Sequence, residues 1–210
     1  MGAERPDCLF IQFAREPVAG AVKTRMIPHL SPPEACALHA ELVLWTAATL
    51  VAARLGRVEL AVAGSAGHGL FQDCLDLGVA GLTLQRGDDL GARMYNALVA
   101  GLDRFDRVVL VGSDCPSIDR DYLRQALVAL EQDDIVLGPA ADGGYTLVGA
   151  RRVPREMFEG ISWGTAAVFS ETILRLRRLG VGWTELSALN DIDRPGDLPA
   201  WRTLRATRGG

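Results

Sequence analysis

Three aspartates and three cations carry the most chemical promise in this sequence. Asp114 follows the aliphatic run Val108 to Val111, where Gly112, Ser113 and Pro116 break what reads as a buried strand. Open α/β sheets bind ligands just beyond the carboxyl ends of their strands. A carboxylate on such a loop is placed to hold a divalent cation against a phosphate. It is equally placed to cap the next turn or helix, so Asp114 alone leaves both roles open. Asp191 and Asp193 alternate along Asn190-Asp-Ile-Asp-Arg-Pro195 and share one face if that segment is extended. Alternatively one of them caps the helix that Pro195 starts.

The cations lie in the loop Arg15-Glu-Pro-Val-Ala-Gly-Ala-Val-Lys-Thr-Arg25, directly after the first apolar segment. Arg15, Lys23 and Arg25, with Gly20 and Thr24 between them, suit a loop that cradles phosphates with backbone N–H groups and cationic side chains. Neither G-x-x-x-x-G-K-[ST] nor G-x-G-x-x-G is present, and a solvated basic loop is the competing reading. The Pro, Gly and small residues of the loop predict few core contacts.

Three further segments belong with these. In Asp88-Asp-Leu-Gly-Ala-Arg93, an aspartate caps a helix, and Gly91 in its first turn leaves room for a ligand beside Arg93. Arg93 reads equally well as a surface charge. Asp142-Gly-Gly-Tyr145 permits close ligand approach through Gly143 and Gly144, or is a plain hairpin turn. Trp163-Gly-Thr165 ends in a residue that can cap a helix running to about Arg178. Cys115 adjoins Asp114, but no histidine lies near it in sequence, which favours a structural role.

These groups need a scaffold, and the apolar pattern supplies one. Strands are expected at Cys8 to Ala14, Arg57 to Ala63, Leu82 to Gln85, the Val108 run, Ile135 to Gly138 and Thr146 to Ala150. Ser31-Pro-Pro-Glu34 starts a helix reaching about Leu55, with Ala35, Leu38, Leu42 and Trp45 on its core face. Shorter helices follow near Leu70 to Leu77, from Asp89 to Leu98 and from Arg120 to Glu131. The alternation of strands and helices, without repeats or linkers, predicts an α/β fold of one domain over residues 1–210, a doubly wound sheet flanked by helices. With a net charge of −4 there is no basic stripe to attract nucleic acid. No apolar run approaches the roughly 20 residues that cross a bilayer. Cys8, Cys36, Cys74 and Cys115 form no C-x-x-C pair, and Cys8 and Cys36 read as small core residues; a reduced, cytoplasmic protein is expected.

Taken in order, F-A-R-E-P-V-A-G-A-V-K-T-R, G-D-D-L-G-A-R-M, G-S-D-C-P, G-P-A-A-D-G-G-Y-T-L-V-G, W-G-T and D-I-D-R-P-G-D-L span nearly the whole chain. The series resembles the GT-A glycosyltransferase-like proteins named as radical-SAM/selenodomain-associated transferases. More distantly it is similar to 2-phospholactate guanylyltransferase and the molybdenum-cofactor nucleotidyltransferases. The resemblance implies a GT-A, Rossmann-type nucleotide-diphospho-sugar transferase fold. It also implies a transferase dependent on Mg²⁺ or Mn²⁺, taking an NDP-sugar or an NTP as donor and a small molecule as acceptor. Carried over by position, Arg15, Gly20, Lys23, Thr24, Arg25, Gly91 and Arg93 would bind the nucleotide, and Asp114, Asp191 and Asp193 the metal. Asp142, Gly143, Gly144, Tyr145, Trp163, Gly164 and Thr165 would line the acceptor side, with Asp114, Lys23 and Asp142 catalytic and Asp142 the candidate base. Three departures stand out: one acid where many glycosyltransferases carry D-x-D, a single Gly20 where nucleotidyltransferases have a glycine-rich loop, and Arg194 where the related pattern has Thr. Glycosyl transfer is the leading expectation, nucleotidyl transfer the second, and a non-catalytic nucleotide-binding protein the third.

Overall fold

A computed structural model describes residues 7–208. Seven strands form one mixed sheet: β1 (Cys8–Arg15), β2 (Arg57–Ala63), β3 (Leu82–Leu84), β4 (Arg107–Val111), β5 (Ile135–Pro139), β6 (Tyr145–Ala150) and β7 (Trp183–Glu185). Their spatial order is β3-β2-β1-β4-β6-β5-β7. The pairs β1–β2, β1–β4, β2–β3 and β5–β7 are parallel, whereas β6 runs antiparallel to both β4 and β5. The expected alternation of strand and helix therefore fails once, where Ala140–Gly144 turns β5 directly into β6. That reversal carries Asp142 to the end of the sheet where β1 and β4 finish.

Successive residues of a strand face opposite sides, and the two cores divide accordingly. Phe10, Val109 and Leu147 pack with α1 (Pro32–Ala53), α2 (Gly69–Asp76) and α4 (Arg120–Gln132). Leu9, Leu110 and Leu137 pack with α3 (Leu90–Leu102) and α5 (Val168–Leu179). A third cluster joins the loop after β1 to the chain's end, with Met26, Leu42 and Ile192 against Leu198 and Trp201 of α6 (Leu198–Arg208). Trp45 meets Trp201 edge to face, with ring centres 5.0 Å apart, and packs half-buried against this cluster, on the face of α1 expected to point inward.

Local chemistry explains most element ends. The Ser31 hydroxyl accepts from Glu34 N, and the Glu34 carboxylate accepts from Ser31 N at 2.8 Å, a reciprocal cap that starts α1. The 22 residues of α1 are apolar enough to pass for a membrane span by length and composition, contrary to the sequence expectation. One face of α1 is instead packed against the sheet. Asp89 and Asp119 cap α3 and α4 by accepting from the backbone N–H three residues on. Two boundaries differ from expectation. Thr165 does not cap α5: its hydroxyl donates to Ser162 O and accepts from Ala167 N, so the helix starts at Val168. Strand β7 was not foreseen, since three half-exposed residues carry too little periodicity to register. Cys36 is half-buried rather than a core residue.

Candidate active site

A cleft of about 1090 Å³ opens at the ends of β1, β4 and β6. Its centre is a knot of charge contributed by three segments distant in sequence. Lys23 follows β1 in the left-handed region, with φ 48°, and is buried, 8% exposed. Its ammonium donates to Ile192 O and lies 2.7 Å from Asp114 Oδ1 and 3.9 Å from Asp193 Oδ1. The half-exposed Arg25 reaches the other oxygen of the same acid, with Nη1 2.6 Å from Asp193 Oδ2. Ile192 N donates to Asp114 O at 2.8 Å, which ties the C-terminal segment to the β4 loop. Asp193 N and Arg194 N both donate to Asp197 Oδ2, so Asp197 secures this turn where Arg194 offers no hydroxyl.

This arrangement corrects one expectation. The loop after β1 is pinned rather than poor in core contacts: Val22 and Met26 are buried and Lys23 is held at three points. Arg15, Thr24 and Arg25 face the cleft, whereas Gly20 lies at an open turn with φ 81°.

The acids crowd each other. Burial first, and then the negative charges of Asp114 and Asp142, push the Asp191 carboxyl up to about 7, against the pull of Lys23. Asp114 Oδ1 is buried and accepts no hydrogen bond, its partner being the charge of the Lys23 ammonium 2.7 Å away. Among the described residues no group of three or more His, Cys, Asp or Glu converges on one point as a ready-made metal shell. The donor set nevertheless fits a hard divalent cation: carboxylate oxygens, one of them buried beside the Lys23 ammonium, in a crowded acidic cluster that gains from added positive charge. Cys115 is no nucleophile here, because burial pushes its thiol up to about 11.

The far wall is aromatic. The ring centre of Tyr145 lies 6.3 Å from that of Trp163, and the Tyr145 hydroxyl is 2.7 Å from Thr172 Oγ1. Gly143 (φ 92°) lies against the chain before α5, where a Cβ would fall 2.2 Å from Ala166 O. Phe169 N donates to Gly143 O at 2.8 Å, so the Asp142–Tyr145 and Trp163–Thr165 segments meet at the same wall. Asp142 Oδ1 accepts from Gly144 N, which makes the segment a hairpin turn as well as part of the cleft. Trp163, Gly164 and Thr165 line the cleft beside it. Gly91 leaves no room for a ligand: a Cβ there would lie 2.5 Å from the Trp163 ring, so the missing side chain seats that tryptophan. Arg93 faces the cleft, with Nε donating to Gly87 O.

Buried polar residues near the cleft that the sequence reading did not single out include Gln12, His39 and Thr46. The available signals were a glutamine inside an aliphatic strand and a histidine on the core face of α1. His39 Nε2 contacts Arg15 O at 2.9 Å, beneath the loop after β1.

This sheet order, with charged loops gathered beyond the ends of β1 and β4, is the fold of the nucleotide-diphospho-sugar transferases. The chain belongs to the bacterial family described as uncharacterized protein conserved in bacteria (DUF2064), whose model matches residues 46–165. Among solved structures it is similar to a protein from Desulfovibrio desulfuricans G20 assigned as a nucleotide-diphospho-sugar transferase. The two share 32% identity with a TM-score of 0.80, over 89% of this chain and 82% of the other. CMP:2-keto-3-deoxy-manno-octonic acid synthetase in complex with CTP shares the fold at 12% identity, TM-score 0.59, over 96% of this chain and 99% of its own. Glucosyl-3-phosphoglycerate synthase from Mycobacterium tuberculosis, in complex with Mg²⁺ and UDP, does so at 13% identity, TM-score 0.56, over 92% of this chain and 74% of its own. No curated protein sequence matches the chain.

Proposed function

We propose that this protein is a transferase acting on a nucleotide-activated donor with a divalent cation, and that it moves a glycosyl group from an NDP-sugar to a small acceptor. The observation that carries the reading is the convergence of Lys23, Arg25, Asp114 and Asp193 at the sheet end where this fold class binds nucleotides. Asp114, with Asp193 and Asp191, would hold Mg²⁺ or Mn²⁺, which when bound neutralises charge on the leaving diphosphate. The relatives crystallised with CTP, or with UDP and Mg²⁺, support that pairing of nucleotide and cation.

The chain's own groups have separable tasks. Lys23 and Arg25 bind donor phosphates, with Arg15 and Thr24 on the same cleft wall. Arg93 faces the donor from the α3 side. Tyr145 and Trp163 offer a rigid apolar surface to the acceptor, and Gly144, Gly164 and Thr165 line the cleft beside it. Asp142 takes the proton of the attacking hydroxyl as that oxygen displaces the nucleoside diphosphate.

Nucleotidyl transfer from an NTP is the second reading. It is favoured by the single acid on the β4 loop, where both neighbours of Asp114, Ser113 and Cys115, are buried. One assay separates the two. Panels of NDP-sugars and NTPs are offered with Mg²⁺ or Mn²⁺ and several hydroxylated or phosphorylated small molecules, and the leaving group is identified. Release of NDP establishes glycosyl transfer and release of pyrophosphate establishes nucleotidyl transfer. Nucleotide binding without turnover leaves a binding protein.

A further inference from the structure

We infer that Gln12 is a positioning residue for Asp114, retained at a cost in stability so that the β4 loop presents its carboxylate in one orientation. The inference rests on the proposed role of Asp114 toward a divalent cation.

Gln12 lies in the middle of β1 with no exposed surface, among aliphatic neighbours on both adjacent strands. Its amide nitrogen donates twice, to Val43 O in α1 and to Ser113 Oγ, each at 2.9 Å. Ser113 Oγ in turn donates to Phe13 O at 2.7 Å, and Thr46 Oγ1 donates to Ser113 O at 3.4 Å. Both the hydroxyl and the carbonyl of Ser113 are therefore held from below, one residue before Asp114. From above, Ile192 N holds the Asp114 carbonyl. The carboxylate between these two anchors has little freedom left except in its own torsions.

The other amide atom shows what this costs. Gln12 Oε1 is buried and accepts no hydrogen bond. An orphaned buried acceptor is destabilising, whereas an apolar group of the same shape would leave nothing unsatisfied there. Val43 O lies inside a helix, and Ser113 Oγ keeps Phe13 O as an acceptor, so removing Gln12 strands neither partner. Stability alone thus favours methionine or leucine at this position. The constraint that the amide places on Ser113 is what the substitution would lose.

The test compares Gln12→Met, Gln12→Leu and Ser113→Ala with the parent protein by thermal unfolding, Mn²⁺ calorimetry and amide hydrogen exchange. For Gln12→Met the expected result is an unchanged or higher Tm with faster exchange over residues 113–115. Mn²⁺ affinity should fall about 10-fold, the effect typical of losing a group that orients a ligand. Ser113→Ala should show the same loss, and the double variant no more than either alone, because both break one chain of contacts. A lower Tm with unchanged Mn²⁺ affinity and unchanged loop exchange, in both Gln12 variants, would make Gln12 a packing residue and overturn the inference. If the parent protein binds no Mn²⁺, with or without nucleotide, the functional reading fails; the exchange rates still decide whether Gln12 anchors the loop.

Discussion

Arg25 and Asp193, 168 residues apart in sequence, face each other with Nη1 2.6 Å from Oδ2. The sequence assigns the first to a phosphate and the second to a metal ion, yet in the ligand-free protein each satisfies the other. On the proposed roles, metal and nucleotide would each release the partner that the other needs, which would couple their binding.

Arg25→Ala is accordingly expected to weaken nucleotide binding while tightening the binding of Mn²⁺ alone, because Asp193 is freed. Arg93→Ala is the control, a cleft cation whose donor contact is to Gly87 O. Calorimetry with Mn²⁺ in the absence of nucleotide checks this. Equal gains in both variants would reduce the effect to general charge.

Lys23 carries a different expectation. Its side chain is 3% exposed and bonds to Ile192 O while pairing with Asp114. Lys23→Met removes a charged hydrogen bond worth about 2 kcal/mol, so Tm should fall by about 6 °C in a chain of this size. A melting curve that does not move would show that Lys23 is not a structural tie between the loop after β1 and the C-terminal segment.

In an ordinary helix Gly91→Ala would gain about 1 kcal/mol. Here the added carbon lies 2.5 Å from the Trp163 ring and 3.0 Å from Phe158 O. The variant is expected to lose about 1–3 kcal/mol through overpacking, to shift tryptophan fluorescence, and to impair acceptor-dependent turnover more than donor binding. Unchanged fluorescence would mean that the tryptophan is not seated on this glycine.

Away from the cleft, Glu59 sits 7% exposed between Arg104, at 2.8 Å, and Arg57, at 2.7 Å. The Arg104 hydrogen bonds, opposed by burial and helped by Arg57, hold its carboxyl below the usual range. A depressed carboxylate adds stability that is fully present above its unfolded value of about 4.3 and is lost as pH falls through the lower folded value. Glu59→Gln should therefore lose about 2 kcal/mol at pH 7, and its melting curve should converge on that of the parent protein toward pH 3. A constant gap across that range would locate the effect in packing rather than charge.

Much of this architecture is local and so was readable in the sequence. Ser31 and Glu34 announce α1, an aspartate of the Asp88-Asp89 pair announces α3, and the aliphatic run before Asp114 marks β4. What escaped depends on partners far along the chain. Nothing local distinguishes a lysine that folds inward onto Ile192 from one that waits in solvent. The Asp142-Gly143 hairpin between β5 and β6 is one of two readings the sequence allows, whereas the insertion of β6 beside β4 and the pairing of the short β7 are settled only by partners far along the chain. Gly91 reads as open space until Trp163, 72 residues later, is found on top of it.

Held together by the hydrogen bond of Lys23 to Ile192 O across 169 residues, the cleft has a temporal side. A growing polypeptide exposes the cationic loop long before Asp191 and Asp193 exist, and domains tend to fold as they are made, from the N-terminal end. Until the C-terminal segment arrives, Lys23 lacks Ile192 O and Asp193, and Met26 lacks Ile192 and Trp201. On the proposed function, nucleotide recognition would begin only once the segment around Asp193 closes over the loop that β1 delivered first.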